Sequence, residues 1–187
     1  MIIPLTEKYN SAAVPEMMKK FGYKSRMAVP RIEKVVVNTG FGRQVAGKST
    51  DEQKKISDSI LEDMTMICGQ RGIKTLAKKS IASFKVREKM PLGIKVTLRG
   101  KKMTDFLERL IHLVLPRTRD FKGIDAKSVD KKGNLTLAIK ENIAFPEILP
   151  ERAKNIFGLE VTVVTGANTK EEGLELFKLL GFPVKTE

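Results

Sequence analysis

The feature that most constrains the fold is a strict alternation of apolar and polar residues in short segments. From Ile94 to Arg99, isoleucine, valine and leucine alternate with lysine, threonine and arginine, and Leu135 to Lys140 repeats the pattern. Side chains that alternate in this way point to opposite faces of a β-strand. The alternation also indicates a sheet with one buried face and one open face, as antiparallel pairing permits.

The remaining segments predict an α+β fold, with helices layered on one face of a mainly antiparallel sheet and the other face left open. Further strands are predicted over Arg31–Asn38 and Leu159–Thr165, and a strand over Ser83–Glu88 is predicted to form a hairpin with Ile94–Arg99. Helices are predicted from Leu5 to Tyr23, as one bent helix or two short ones interrupted by Pro15, and from Ser49 to Cys68, from a Thr104 cap to Pro116, and from Thr169 to Gly181. We expect a single domain over 1–187, in which 1–23 form an N-terminal helical arm and 31–187 the α+β body.

Composition argues against several classes of function. The sequence has one cysteine, Cys68, and one histidine, His112, which are too few for a structural zinc site. No nucleophile and orienting acid can be assembled around His112 to form a catalytic centre. We therefore expect no cofactor, no metal and no enzyme activity. No apolar run approaches the roughly 18 residues of a membrane span. The sequence therefore predicts a cytoplasmic protein without a membrane partner.

Charge is concentrated in one strip of the chain. Between Gln70 and Lys102 there are eleven Lys or Arg residues and a single acidic residue, Glu88, so 33 residues hold +10 of the formal net charge of +13. Such a strip, on a chain that is otherwise nearly balanced, is typical of a surface that binds nucleic acid. A lysine-rich solvated surface is a weaker interpretation, because the charge is concentrated and the acids that would normally be interspersed are nearly absent. A membrane surface is also weaker, because the charge lies on a predicted hairpin and loop rather than on an amphipathic helix.

Polar residues accompany the cations of this strip. Lysine and arginine supply phosphate contacts, while glutamine, serine and threonine can bond the 2′-hydroxyls and base edges of an A-form RNA minor groove. The candidate RNA-binding residues in the strip are Gln70, Arg71, Lys74, Thr75, Lys78, Lys79, Ser80, Lys85, Arg87, Lys95, Thr97 and Arg99.

A competing interpretation comes from Gly42 to Ser49, which matches the phosphate-loop pattern between a predicted strand and a predicted helix. In an NTPase, Lys48 would reach the terminal phosphates and Ser49 would hold magnesium. The aspartate that would complete the metal site after a second apolar strand is missing. The predicted strands also alternate apolar and polar residues, whereas the strands of a phosphate-loop sheet are apolar on both faces. A small phosphate-loop NTPase is therefore the alternative hypothesis, and a glycine turn before a capped helix is the simpler one.

The strip and several other blocks resemble a known family. The longest blocks are Lys78–Arg87 and Met90–Gly100, and shorter ones follow in the family's order at Val35–Gly40, Phe106–Leu110, Leu115–Gly123, Gly133–Asn134 and Phe145–Ile148. Together they closely resemble the universal family of the fifth protein of the large ribosomal subunit, which binds 5S ribosomal RNA. That family usually has arginine at the position of Lys122. Lysine keeps the positive charge but lacks the planar guanidinium group of arginine.

The resemblance implies a structural ribosomal protein that helps attach 5S rRNA in the central protuberance. It implies that Asn38, Gln70 and Thr97 bond the RNA from the sheet face, and it adds Arg119 and Lys122 to the candidates. It also implies that the Lys74–Lys79 segment reaches peptidyl-site tRNA and that the protein contacts large-subunit rRNA and neighbouring ribosomal proteins. One neighbour would be a protein of the small-subunit head, which we place against residues Asp120 to Leu149.

Overall fold

The computed structural model describes residues 3–119, 121–149, 151 and 155–185. Its centre is a five-stranded antiparallel sheet, which confirms the α+β prediction. The strands are β1 (Ile32–Gly40), β2 (Ile73–Leu76), β3 (Pro91–Leu98), β4 (Leu135–Ile139) and β5 (Leu159–Thr165), in the order β2-β3-β1-β5-β4.

Helices make up most of the rest of the described chain. The α-helices are α1 (Leu5–Lys8), α2 (Val14–Phe21), α3 (Gly42–Val45), α4 (Thr50–Cys68), α5 (Gly100–Arg109), α6 (Leu115–Arg117) and α7 (Lys170–Leu180). Two π-helical segments, Tyr9–Ala13 and Leu110–Val114, connect α1 to α2 and α5 to α6. Each π segment runs directly into a helix that carries proline in its first turn, at Pro15 and Pro116. Because proline has no N–H to donate, a widened turn before it preserves a continuous helix.

Contacts divide the chain into two compact units. Unit I comprises Met1–Val35, Arg99–Leu137 and Thr162–Glu187, and unit II comprises Val36–Leu98 and Ala138–Val161. The single-domain organisation with an N-terminal arm stays a prediction. The two units are described separately below.

In unit I, α1 packs against α5 and α7, and α2 packs against α7. The backbone N–H of Leu5 donates to the Glu108 carboxylate of α5 at 2.7 Å, and Lys20 of α2 pairs with Glu175 of α7 at 2.7 Å. The buried Phe177 and Phe182 rings meet edge to face, with centroids 5.1 Å apart. Aromatic pairs of this geometry add to the stabilisation from apolar burial.

In unit II, α4 packs across β3. The helix buries Ile60, Met64 and Ile67, and the strand buries Ile94 and Leu98, so the apolar stripe and the alternating strand form one core. The predicted boundaries of this helix are confirmed. Ser49 and Glu52 form a complete capping box, and Gly69 ends the helix in the left-handed conformation at φ +63°.

Two sequence predictions are wrong. The partner of β3 is β2 and not Ser83–Glu88, because Ala82–Phe84 forms a 3-10 turn and Lys85 follows it at φ +52°, which no strand can accommodate. The helix predicted to start at a Thr104 cap begins earlier, at Gly100, after Arg99 as its N-cap. The Thr104 hydroxyl instead donates to the Lys101 carbonyl within the first turns of the helix.

Candidate nucleic-acid interface

The open face of the sheet in unit II carries polar side chains, with the exposed Ile73 of β2 among them. In β3, Ile94, Val96 and Leu98 are buried, whereas Lys95 is exposed and Thr97 half-exposed. In the antiparallel register, Thr75 of β2 pairs with Gly93 of β3, so the Thr75 hydroxyl shares the face of Lys95 and Thr97. The candidates on β2 and β3 that point away from the core are therefore brought onto one surface.

Asn38 of β1 joins this surface in a fixed orientation. Its neighbours Val37 and Thr39 are buried, and its amide nitrogen donates to the Glu160 carboxylate of β5 at 3.1 Å. This hydrogen bond uses one of the two amide N–H groups and leaves the amide oxygen as an acceptor. Sequence analysis missed Glu160, although the alternation of Leu159, Glu160 and Val161 was sufficient to place it on the open face.

Gln70 lies beside Thr97, since its amide nitrogen donates to the Thr97 backbone carbonyl at 3.1 Å. Arg71 follows it and is exposed. The predicted RNA-binding residues Gln70, Asn38 and Thr97 thus all lie in unit II with their positions set by the sheet or by a hydrogen bond to it.

Lys74 differs from the other candidates because its side chain lies on the helix side of the sheet. Its ammonium group donates to the Ser57 hydroxyl at 2.9 Å and forms an ion pair with Asp58 at 2.6 Å, both on α4. The hydrogen bond from Lys74, together with its charge, holds the pKa of Asp58 below its usual range against the opposing effect of burial. The Lys74 charge is therefore already paired with a carboxylate within the protein.

The long loop between β2 and β3, residues 77–90, carries five more candidates. Lys78, Lys79, Ser80, Lys85 and Arg87 are all exposed. The Ser80 hydroxyl accepts from the Glu88 backbone N–H at 2.8 Å, so the one acidic residue of the strip is held next to the loop backbone.

A cationic groove of about 870 Å³ runs between this loop and the turn before α4. Lys48, Lys85 and Arg87 line it together with the hydroxyls of Ser49 and Ser80. Its three cations suit a phosphodiester backbone.

The geometry of the phosphate-loop match does not fit nucleotide binding. Gly42–Val45 is already helical, and the Ser49 backbone N–H and hydroxyl both donate to the Glu52 carboxylate, at 3.1 and 2.9 Å. These hydrogen bonds hold the pKa of the Glu52 carboxyl below its usual range, and the bond from the backbone N–H has the larger effect. The donors that would bind a phosphate are therefore already bound to a carboxylate. The antiparallel sheet disagrees with the motif as well.

Three candidates belong to unit I. Arg99, Arg119 and Lys122 are exposed there, and their contribution to RNA binding stays a prediction. Asp120, which begins the segment assigned to the small-subunit contact, lies outside the described residues. Within the part of the chain that the structure describes, no group of three or more His, Cys, Asp or Glu residues could hold a metal ion, and no helix is long and apolar enough to cross a membrane.

Comparison with known proteins identifies the family. Residues 25–87 match the family model of ribosomal protein L5, and residues 91–184 match that of the ribosomal L5P family C-terminus. The chain is 49% identical to large ribosomal subunit protein uL5 of Halothermothrix orenii over 96% of this chain and 97% of that protein. It is 48% identical to uL5 of Kosmotoga olearia, over 98% and 97% of the two chains, and 48% identical to uL5 of Geotalea daltonii, over 97% and 98%.

These relatives are large-subunit ribosomal proteins, and such proteins are cytoplasmic, which confirms the predicted location. Family membership implies association with the large ribosomal subunit and binding of rRNA, and the family is structural and not enzymatic. With both family models covering consecutive parts of the chain, the protein belongs to the ribosomal protein L5 family.

Proposed function

We propose that the chain binds 5S rRNA through the open sheet face of unit II and thereby helps attach that RNA in the central protuberance of the large subunit. The observation that carries this proposal is the set of outward polar groups on three adjacent strands, Asn38, Thr75, Lys95 and Thr97. A face built on paired strands holds its donors and acceptors at fixed spacing, which recognition of a rigid RNA helix requires.

The chemistry of this face suits the minor groove of A-form RNA. That groove is wide and shallow and displays 2′-hydroxyls, which are both donors and acceptors. The Asn38 amide oxygen, freed for outward contact by the bond from its nitrogen to Glu160, accepts from such a hydroxyl. Lys95 supplies charge for the flanking phosphates, and the Glu160 carboxylate keeps phosphates away from the centre of the face.

Two further contacts belong to the same proposal. The Lys74–Lys79 segment reaches peptidyl-site tRNA, with Lys78 and Lys79 as the exposed cations, because Lys74 itself is paired with Asp58. Residues 121–149, with Asp120 before them, contact a protein of the small-subunit head. Their charges are balanced in sign, which suits a protein partner better than a polyanion.

The experiment is a titration of the purified protein against 5S rRNA, with tRNA and a random RNA duplex as competitors, over a series of salt concentrations. If about six phosphates are neutralised, the logarithm of the affinity falls with the logarithm of salt at a slope of about −4 to −5. Binding that resists both competitors supports a dedicated 5S rRNA partner. A slope near −1, or equal displacement by tRNA and duplex, contradicts the proposal.

A further inference from the structure

An apolar groove lies inside the most cationic part of the molecule. It has a volume of about 570 Å³, and its walls include Ile81, Phe84 and Leu92. Arg43, Lys78 and Lys79 form part of the same lining and supply positive charge at its rim. Phe84 is 69% exposed and Ile81 46% exposed, so apolar surface is presented to solvent among lysines.

The exposure of Phe84 is a property of an ordered loop. At the base of the loop, the Ala77 N–H donates to the Met90 carbonyl at 2.8 Å. Near the tip, Ile81 and Val86 exchange two backbone hydrogen bonds of 2.9 and 3.1 Å. The turn between them holds Phe84 in a 3-10 conformation, so the backbone fixes the ring outside the core of unit II.

The occupant of this groove must match two properties at once. It must offer a flat apolar surface to the Phe84 ring, and it must carry negative charge to meet the cationic rim. An unpaired nucleotide has both, since every base has a π-face and every nucleotide a phosphate, and stacking on aromatic side chains is a general mode of binding to unpaired RNA. A paired helix has no free base face at its side.

We propose that the groove receives an unpaired nucleobase, which stacks on the Phe84 ring while its phosphates lie against the rim formed by Arg43, Lys78 and Lys79. This inference rests on the proposed contact between the loop and tRNA and specifies its chemistry. The sheet face reads RNA by hydrogen bonds and the loop holds RNA by stacking and charge.

The test uses the absence of tryptophan from the sequence. The variant Phe84→Trp carries a single fluorescent reporter in the groove, and Met27→Trp carries one at an 87% exposed position of unit I as the matched control. Each full-length variant is titrated at low salt with tRNA, with a fully paired RNA duplex of the same length, and with polyglutamate. Binding of tRNA, of the duplex and of 5S rRNA is measured in parallel by filter binding.

We expect tRNA to quench the Phe84→Trp emission several-fold more than the duplex or polyglutamate does, with little quenching of the Met27→Trp control. Equal quenching by tRNA and duplex, or by polyglutamate, overturns the stacking proposal in favour of a general polyanion surface. If tRNA is retained on the filter without any quenching, stacking on Phe84 is wrong. If neither tRNA nor 5S rRNA is retained, the proposed function fails and this inference fails with it.

A second set of variants separates stacking from apolar burial. Phe84→Tyr keeps an aromatic face and is expected to bind tRNA within about twofold of the unmodified protein. Phe84→Leu keeps apolar volume without a π-face and is expected to bind about five- to a hundredfold more weakly, the range for loss of one base stack. Because the side chain is largely exposed, neither variant should unfold the protein. Equal affinities of the leucine and tyrosine variants contradict stacking.

Discussion

Strand β3 and the loop over residues 77–90 show the same alternation of apolar and cationic residues, but they fold differently. Ile94 and Leu98 of β3 are buried to 1% and 0% exposure, whereas Phe84 of the loop is 69% exposed. The strand has neighbours on both sides, β2 and β1, while the described backbone pairs of the loop, Ala77 with Met90 and Ile81 with Val86, join residues of the loop itself. A two-residue period therefore predicts a buried face only where neighbouring strands complete the sheet.

The difference has a functional counterpart. The sheet face offers hydrogen-bonding groups at positions that pairing fixes, among them Thr97 and Asn38, with Lys95 beside them. The loop offers charge and an exposed ring, with fewer polar groups whose geometry is set by regular structure. Substitutions in the sheet and in the loop should consequently change different measurable quantities.

The largest expected effect on stability comes from adding a side-chain methyl group at Gly93. A Cβ atom at this position would lie 2.6 Å from the Thr39 carbonyl oxygen and 2.9 Å from the Thr75 hydroxyl, so neighbouring backbone must shift to admit it. We expect Gly93→Ala to lower the free energy of unfolding by about 1–3 kcal/mol, the usual cost of overpacking. Urea denaturation followed by circular dichroism measures this change.

Gly40→Ala is the matched control on β1, since a Cβ atom there meets nothing within 4 Å. Its effect on the free energy of unfolding should stay within about 0.5 kcal/mol. If both alanine variants cost the same, close packing between strands is not what requires glycine at position 93.

Much of the fold could be predicted because its signals are local. The capping boxes Ser49–Glu52 and Thr169–Glu172 mark the starts of α4 and α7, and Gly69 and Gly181 mark their ends. Alternation alone identified β4 and β5. These signals lie within a few residues of the elements they define, so no knowledge of distant contacts is needed.

Strand β2 could not be predicted for a physical reason. It has four residues, and its pattern is the reverse of the usual one: Ile73 is 76% exposed, whereas Lys74 points to the helix side and pairs with Asp58. Only the register with β3, which pairs Ile73 with Lys95, explains the strand. For the candidate interface, sequence therefore predicted candidate residues but not the side of the sheet on which Lys74 lies.

An intermediate effect separates the two surfaces by salt dependence. Thr97→Ala removes a hydroxyl from the sheet face and should weaken 5S rRNA binding by about 1 kcal/mol without changing the slope of log affinity against log salt. Lys85→Ala removes a phosphate contact from the loop and should reduce the magnitude of that slope by about 0.7 to 0.9. Filter binding at four salt concentrations measures both quantities, and equal slope changes would show that the two roles are misassigned.

The smallest expected effect concerns Lys74, the candidate that the fold turns away from the open face. Lys74→Met removes the partner that lowers the pKa of Asp58, so the pair's contribution to folding stability, about 0.2–1 kcal/mol for an exposed ion pair, should be lost. A lowered pKa stabilises the folded state above the ordinary pKa of the carboxyl, and this contribution disappears as pH falls through the lowered value. The stability difference between the unmodified protein and Lys74→Met should therefore shrink in urea denaturation as pH falls below the ordinary aspartate pKa of about 4, whereas Lys95→Met, on the opposite face, should show no such pH dependence. A salt slope for 5S rRNA that falls as much in Lys74→Met as in Lys85→Ala would instead show that Lys74 leaves Asp58 to bind phosphate, and the distinction between the helix side and the open face would not hold for this residue.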